Sequence, residues 1–409
     1  MKFKALSFTK DETIIIEELI ESIGQSLITH NKEFELESPG LMQGSTGQAL
    51  FFAYLYKWNG NQIYLDQVDE LLADIFTKLS SVQSYSLSSG LSGIGWAINN
   101  INSLGILEID VEPLLNQLDQ VLPSLMLEDI KRGHYDLISG SLGAALYCLS
   151  RHSNENHDVL SEYIRCLEIC SVLDNGKRKW AVYSENAEQE SNYDLGLCHG
   201  NTSILSFLIK AYNNAIEPDL CKQLIQESVN YLMSLITTPA SGMQNCHWPS
   251  IITDTDSSGT SRLAWCYGDA GNGVILLEAA VLLQDEGLKE KVIEILKHTS
   301  ERKHLKDNFI RDACLCHGTV GLVNIFQKAF TLSGTPQFEE TAHYWTMKTF
   351  EVQTHKETGL SGFKTFFDNG VTAEYVATAG FLEGTAGIGI GLITAIVPEL
   401  SSWNNSLLL

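Results

Sequence analysis

A short glycine signature recurs seven times along the chain, and it limits the possible folds more than any other feature. Six copies read Gly-x-x-Gly, at Gly44/Gly47, Gly90/Gly93, Gly140/Gly143, Gly268/Gly271, Gly318/Gly321 and Gly384/Gly387. A seventh, Gly200-Asn201-Thr202-Ser203, has serine in the second place. One such pair is nearly worthless as a signal. Seven, spaced 46 to 68 residues apart and each opening an apolar run such as 48–54 or 273–280, describe an internal repeat.

Between the copies lie charge-bearing stretches with helical spacing of apolar residues, over roughly 11–30, 63–82, 112–130, 157–171, 218–237, 287–299 and 336–352. In the first, Ile16, Leu19, Ile20, Ile23 and Leu27 share one face and leave Glu17, Glu18 and Glu21 to solvent. Helices that are apolar all round belong inside and amphipathic ones outside. The expected fold is therefore all-α: an α/α toroid of seven inner and seven outer helices. Glycine at the inner helix starts permits close backbone approach. The competing arrangement is an open α-solenoid, but the terminal repeats keep the motif and resemble no polar cap. Residues 1–409 are expected to form a single such domain. Small β or irregular excursions are expected at 172–196 and 238–262. The first carries a strand-like Lys179-Trp180-Ala181-Val182-Tyr183 after the turn signal Asp174-Asn175-Gly176. Another candidate strand lies in 362–367.

Composition narrows the function. A net charge of −23 with no basic block argues against nucleic acid, since nothing offsets phosphate repulsion. The first residues run straight into Lys10-Asp11-Glu12, without the apolar stretch of a signal peptide. The late apolar run 387–398 is too short and too glycine-rich to span a bilayer. A cytoplasmic protein with no integral membrane segment is expected. Nine cysteines in a reducing compartment then read as thiols or metal ligands.

The chemistry-bearing residues stand just before the glycines. Trp265-Cys266-Tyr267-Gly268 and Cys316-His317-Gly318 offer two thiols and an imidazole, a zinc ligand set with one coordination position left open. The ligands lie too far apart in sequence for a zinc finger, so only a fold that gathers distant loops could assemble them. Cys198-His199-Gly200 repeats the pattern upstream.

Taken together, the seven glycine-led repeats, Trp265-Cys266-Tyr267-Gly268, Cys316-His317-Gly318 and His199-Gly200 resemble the lanthionine synthetase C-like (LanC-like) cyclases, over about residues 40–392. The resemblance implies an α/α toroid, one catalytic Zn2+ per chain, and thioether ring closure in a dehydrated precursor peptide. In that reaction a peptide cysteine adds to dehydroalanine or dehydrobutyrine. Carried over by position, Cys266, Cys316 and His317 are the expected metal ligands. His199 and Asp136 match the active-site histidine and its accompanying aspartate. Arg262 and Tyr267 fall where the family places an active-site arginine and tyrosine. His247-Trp248-Pro249 resembles the Trp-Pro segment upstream of the first ligand. Cys198, in place of a small apolar residue, and Cys314 depart from the pattern as extra thiols.

Residue type explains these roles. A free thiol is mostly protonated at neutral pH, and the thiolate is the nucleophile. After its addition an enolate must be protonated at Cα, a task suited to a histidine. His199 is the expected acid, with Asp136 orienting it. Arg262 would stabilise the enolate oxygen or pair with Asp136. Each position also has a plainer explanation: a small core cysteine, a helix cap for Asp136, a structural ion pair for Arg262. Cys148, Cys166, Cys170 and Cys221 read as core residues.

The expected partners are the dehydrated peptide and a separate dehydratase, because the chain has no room for a dehydratase domain. The stretches 172–196 and 238–262 are candidate leader-peptide contacts. Other functions compatible with parts of the pattern are a zinc-dependent thiol alkylation, a non-catalytic peptide- or glutathione-binding relative, and an α/α-toroid glycosidase. The glycosidase would use Asp136 with Asp269 or Glu383.

Overall fold

The computed structural model describes residues 2–30, 38–184, 191–239, 245–368 and 370–409. Amphipathic and glycine-led helices alternate through it. In chain order they are α1 (Lys10–Thr29), α2 (Ser45–Asn59), α3 (Gln62–Lys78), α4 (Leu91–Ser103), α5 (Glu112–Ile130), α6 (Ser141–Arg151), α7 (Asn154–Ile169), α8 (Asn201–Asn213), α9 (Pro218–Ser234), α10 (Asp269–Leu283), α11 (Glu286–Glu301), α12 (Thr319–Ser333), α13 (Pro336–Glu351) and α14 (Thr385–Ile396). The amphipathic members begin on ordinary N-terminal signals. Thr9 and Glu12 form a capping box on α1, Asn61, Ser153 and Asp285 cap α3, α7 and α11, and proline opens α9 and α13.

Every glycine-led helix begins on the residue after the first glycine of its pair. The seven residues ending in that glycine form a hook that folds back on the helix start. In five repeats the first helical N–H donates to the carbonyl seven residues earlier: Ser45 to Ser38, Leu91 to Ser84, Ser141 to His134, Thr319 to Asp312 and Thr385 to Thr378, at 3.0–3.2 Å. In the fourth repeat the Asn201 side chain donates to the Asp194 carbonyl instead, at 2.8 Å. Donors left over at a helix start are thereby satisfied inside the protein. The third helical residue explains the second glycine. A Cβ at Gly47, Gly93, Gly271, Gly321 or Gly387 would meet the carbonyl oxygen of Leu41, Leu87, Trp265, Leu315 or Phe381 in its own hook. Among the capping glycines only Gly268 has positive φ, at 90°. The others are extended, so they are glycine for space and not for backbone conformation.

Burial follows the sequence pattern. Helix α10 is buried continuously from Asp269 to Leu277. Its partner α11 buries Leu288, Val292, Ile295, Leu296, Thr299 and Ser300, a single stripe. Each fully buried leucine or isoleucine is worth about 1.5–3 kcal/mol, so the continuous helices dominate the cohesion.

The chain divides into two compact units, Met1–Leu115 with Phe309–Asn404, and Asn116–Asn308 with Asn405–Leu409. In the first, α2 packs on α3, α12 on α13, and α14 on α1, α2 and α12. The last glycine-led helix thus covers the first amphipathic one. An open solenoid would leave those terminal elements unpaired. In the second unit α6 packs on α7, α8 on α9 and α10 on α11, with α8 also touching α6 and α10. The C-terminal residues belong to this unit, where the Trp265 indole N–H donates to the Leu407 carbonyl at 2.9 Å.

Three two-stranded antiparallel sheets interrupt the helices. They pair β1 (Val172–Asp174) with β2 (Lys177–Lys179), β3 (Asn192–Asp194) with β4 (Ile251–Thr253), and β5 (Thr365–Asp368) with β6 (Ala373–Val376). Strand β2 lies earlier than the 179–183 expected from sequence. Asn175 and Gly176 both take positive φ, 50° and 75°, and this two-residue turn starts the return strand at Lys177. Trp180 then leaves the ladder, its backbone N–H bound to the Asn201 side chain and its indole to the Leu167 carbonyl. Residues 185–190 and 240–244, inside the two expected excursions, lie outside the described residues.

The hook geometry predicts unequal costs at the second-glycine position. Gly321→Ala forces a Cβ against the Leu315 carbonyl and should cost about 2–4 kcal/mol. Ser203→Gly loses one hydrogen bond, from Ser203 Oγ to the Gly200 carbonyl, plus backbone entropy, together about 1–2 kcal/mol. Thermal unfolding followed by circular dichroism checks the ranking.

Candidate active site

The hooks place their last two side chains, those before the capping glycine, in equivalent positions. These pairs are Met42-Gln43, Ser88-Ser89, Ile138-Ser139, Cys198-His199, Cys266-Tyr267, Cys316-His317 and Leu382-Glu383. Neighbouring hooks are stitched at the first residue of the pair. Within the first unit Cys316 N–H donates to the Leu382 carbonyl (3.2 Å), Leu382 N–H to Met42 (2.9 Å) and Met42 N–H to Ser88 (2.9 Å). Within the second unit Cys198 N–H donates to the Cys266 carbonyl at 3.3 Å. One backbone rule thus brings side chains from distant repeats side by side.

In the second unit this register sets His199 beside Tyr267, ring centroids 6.4 Å apart. The Asp136 carboxylate is aimed by its own hook: Oδ1 accepts from the backbone N–H of Ile138 and Ser139 and from the Ser139 hydroxyl, at 2.7–2.9 Å. Its Oδ2 meets His199 Nδ1 at 2.6 Å. Burial works against both charges. For Asp136 the hydrogen bond and charge of His199, with the Ser139 donors, outweigh burial and hold the carboxyl below its usual range. Burial likewise opposes the His199 imidazolium, but the Asp136 bond and charge, backed by Asp194 and Cys266, raise its pKa. His199 therefore contributes stability below the ordinary histidine pKa and loses it as pH rises through the raised value. Asp136 contributes above the ordinary aspartate pKa and loses it as pH falls through the depressed one. Between those shifted values the pair is imidazolium–carboxylate, with Nε2 left for chemistry.

Asp194 is a participant that motif reasoning missed. Its Oδ1 accepts from Gly196 N–H at 2.7 Å and its Oδ2 from the Tyr267 hydroxyl at 3.0 Å. Burial pushes its carboxyl up to about 6, against the lowering effect of those donors. Burial, then the Asp194 charge, pushes the Tyr267 phenol well up, so it is a fixed donor and not a base. The available signal was positional: four hooks use their first side chain to accept the N–H two residues on, through Ser38, Ser84, Asp194 and Asp312. Arg262 holds that first position in its own hook. Among the described residues it makes no ion pair with Asp136, which takes His199 instead.

The first unit holds Cys316 and His317, both buried. Cys266 belongs to the second unit. Cys316 Sγ, a His317 nitrogen and a Glu383 oxygen lie within 4.8 Å of one another, close enough to hold one metal ion. The two faces of the His317 ring differ. Nε2 lies 3.8 Å from Asp312 Oδ2, whereas Nδ1 lies 3.9 Å from Glu383 Oε1. Asp312 is already committed to the N–H of Cys314 and of Phe366, at 3.0 and 2.9 Å. Burial, then the Asp312 charge, pushes the Cys314 thiol well up, and its Sγ accepts from the His317 backbone N–H at 3.5 Å; with Asp312 and His317 it forms a second group close enough to hold a metal ion. Burial, assisted by Asp119, Cys166 and Glu217 respectively, pushes Cys148, Cys170 and Cys221 up to about 12.

A third His-bearing cluster, His247, Asp269 and His298, lies in the second unit. Asp269 is fully buried and saturated: it accepts from the backbone N–H of His247 and Trp248 and from Arg302, at 2.9–3.1 Å. It anchors the His-Trp-Pro segment to the start of α10. It cannot serve as the axial acid of a glycosidase.

A family model described as "Lanthionine synthetase C-like protein" matches residues 35–408. The nisin biosynthesis protein NisC of Lactococcus lactis subsp. lactis is 24% identical over 91% of this chain and 89% of its own length. A solved nisin cyclase aligns with a TM-score of 0.73 at 21% identity, covering 98% of both chains. That likeness gives the fold class, an α/α toroid. Among the described residues no helix is long and apolar enough to cross a membrane.

The hydrogen bond at His199 predicts a titration. Asp136→Asn removes the largest influence that raises the imidazole and leaves only Asp194 and Cys266 to oppose burial, so the His199 pKa should fall. Nuclear magnetic resonance of the ring protons against pH measures it; an unchanged value would contradict the pairing.

Proposed function

Because this chain belongs to the lanthionine synthetase C-like family, we propose that it is a zinc-dependent lanthipeptide cyclase. It adds a peptide cysteine to dehydroalanine or dehydrobutyrine and so forms lanthionine or methyllanthionine rings. The observation that carries this reading is the 2.6 Å bond between His199 Nδ1 and Asp136. It builds a histidine acid whose other nitrogen is available, which a purely binding relative would not need. Cys266, Cys316 and His317 would hold the metal: two adjacent donors already stand together in the first unit, and Cys266 occupies the same hook position as Cys316. A zinc ion in such a set supplies a Lewis acid that keeps a thiol ionised at neutral pH.

The chain's own residues account for the remaining steps. The peptide thiolate forms a C–S bond at the β-carbon, and the C=C electron pair moves onto the neighbouring amide as an enolate. The Arg262 guanidinium, free of a carboxylate partner among the described residues, is the group we assign to the enolate oxygen. The His199 imidazolium then gives its Nε2 proton to Cα. Asp136 keeps Nδ1–H bound throughout, and the imidazole recovers a proton from the thiol of the next cycle. The net reaction adds S–H across C=C and consumes nothing else. Tyr267, held as a neutral donor by Asp194, borders the ring of His199.

The substrate would be a precursor peptide already dehydrated by a separate enzyme, and the setting cytoplasmic. Two measurements test the reading. Purified protein should carry about one zinc per chain, lost in Cys266→Ala and Cys316→Ala while helical content persists. A chain that takes up no zinc would sink it. With a dehydrated peptide, His199→Ala should lower ring formation about 10²–10⁴-fold. Since the acid must be protonated, rate falls as pH rises through its pKa, and Asp136→Asn should move that alkaline limb to lower pH.

A further inference from the structure

We propose that Glu383 is a fourth, displaceable ligand of the metal, closing the coordination position until a peptide thiol takes it. The inference rests on the metal reading above. His317 stands between two carboxylates that are not equivalent. Asp312, on the Nε2 side, has both oxygens occupied by backbone N–H groups. It is held in place by the backbone and, 3.8 Å from Nε2, makes no hydrogen bond to the ring. Glu383, on the Nδ1 side, offers an oxygen within 4.8 Å of Cys316 Sγ and of a His317 nitrogen. Its Oε1 is 3.9 Å from Nδ1. Its Oε2 accepts from Gln43 Nε2 at 2.8 Å. One oxygen is thus tethered, and the other stands 3.9 Å from the imidazole.

Geometry and charge both suit a displaceable role. On one tetrahedral zinc, a nitrogen and an oxygen ligand stand about 3.3 Å apart, so Glu383 needs to move only some tenths of an ångström. Gln43 and Glu383 occupy the same position in adjacent hooks, joined by the Leu382-to-Met42 backbone bond, so the tether is set by the scaffold. Thiolate is a softer and better zinc donor than carboxylate. An arriving peptide sulfur would therefore replace the oxygen and give up its proton as it binds, and Glu383 would remain on Gln43. In the absence of peptide the carboxylate would keep small cellular thiols off the metal.

Cobalt-loaded full-length chain provides the test, with 2-mercaptoethanol as the probe and the thiolate-to-cobalt charge-transfer band as the readout. Glu383→Ala and the near-isosteric Glu383→Gln should both bind the thiol about tenfold more tightly than the parent chain, because a competing internal ligand has gone. Gln43→Ala should fall between. Equal thiol affinities in parent and Glu383 variants would overturn this inference while leaving the three-ligand site standing. A parent chain that takes up no cobalt or zinc, or a Cys316→Ala variant that takes them up equally well, would overturn the metal reading itself and this inference with it.

Discussion

The backbone hydrogen bonds between adjacent hooks are the constraint on which the site depends. Each joins the residue two before a capping glycine to its counterpart in the next repeat, as from Cys316 to Leu382 and from Cys198 to Cys266. A single buried bond of this kind is worth only about 1 kcal/mol net, yet leaving its partners unpaired would cost more. The bonds form only if the hooks approach closely, and the approach depends on glycine. Where the Leu315 carbonyl faces Gly321, any side chain would push the hook off its own helix. Position, more than strength, is what these contacts supply.

A common backbone then allows one-residue differences to set very different electrostatics. Asp136 and Asp194 are both mostly buried carboxylates in hooks of the second unit, yet their pKa values move in opposite directions. Asp136 faces an imidazole that can carry charge, and that hydrogen bond and charge outweigh the burial that opposes ionisation. Asp194 faces the neutral Tyr267 phenol and a backbone N–H, which do not offset its desolvation. Environments that split similar groups in this way are how one site holds an acid ready and a donor fixed. Both effects trace to what stands opposite in the neighbouring repeat.

Periodicity exposed most of the architecture in advance, because a helix that buries one stripe and a helix that buries every face leave different patterns. The amphipathic segments matched α1, α3, α5, α7, α9, α11 and α13 to within a few residues. The glycine pairs marked each start of the buried helices. Strand β2 was misplaced because Trp180 and its neighbours read as β-formers locally, whereas the Asn175-Gly176 turn fixed the return earlier. The Asp136–His199 pair was reached through family resemblance and stands in the structure. Asp194 was not legible, since an aspartate six residues before a glycine has no motif of its own. Only the repeated acceptor role across Ser38, Ser84, Asp194 and Asp312 reveals its purpose. Arg262 was open between the enolate oxygen and Asp136, and among the described residues no ion pair joins it to Asp136, which meets His199.

The same register explains why the chemistry is confined to part of the chain. The hooks ending in Met42-Gln43 and Ser88-Ser89 have the backbone of the others but no thiol, imidazole or carboxylate at the paired positions. They cannot be dispensed with, because Met42 both accepts from Leu382 and donates to Ser88. Gln43 further fixes Glu383, which faces His317. An uncharged repeat thus serves the reactive ones by holding their neighbours at a set distance. Chemistry in such a scaffold can change through two side chains per hook while the glycines and stitching bonds remain, so a site argued from those side chains is firmer than one argued from the fold alone.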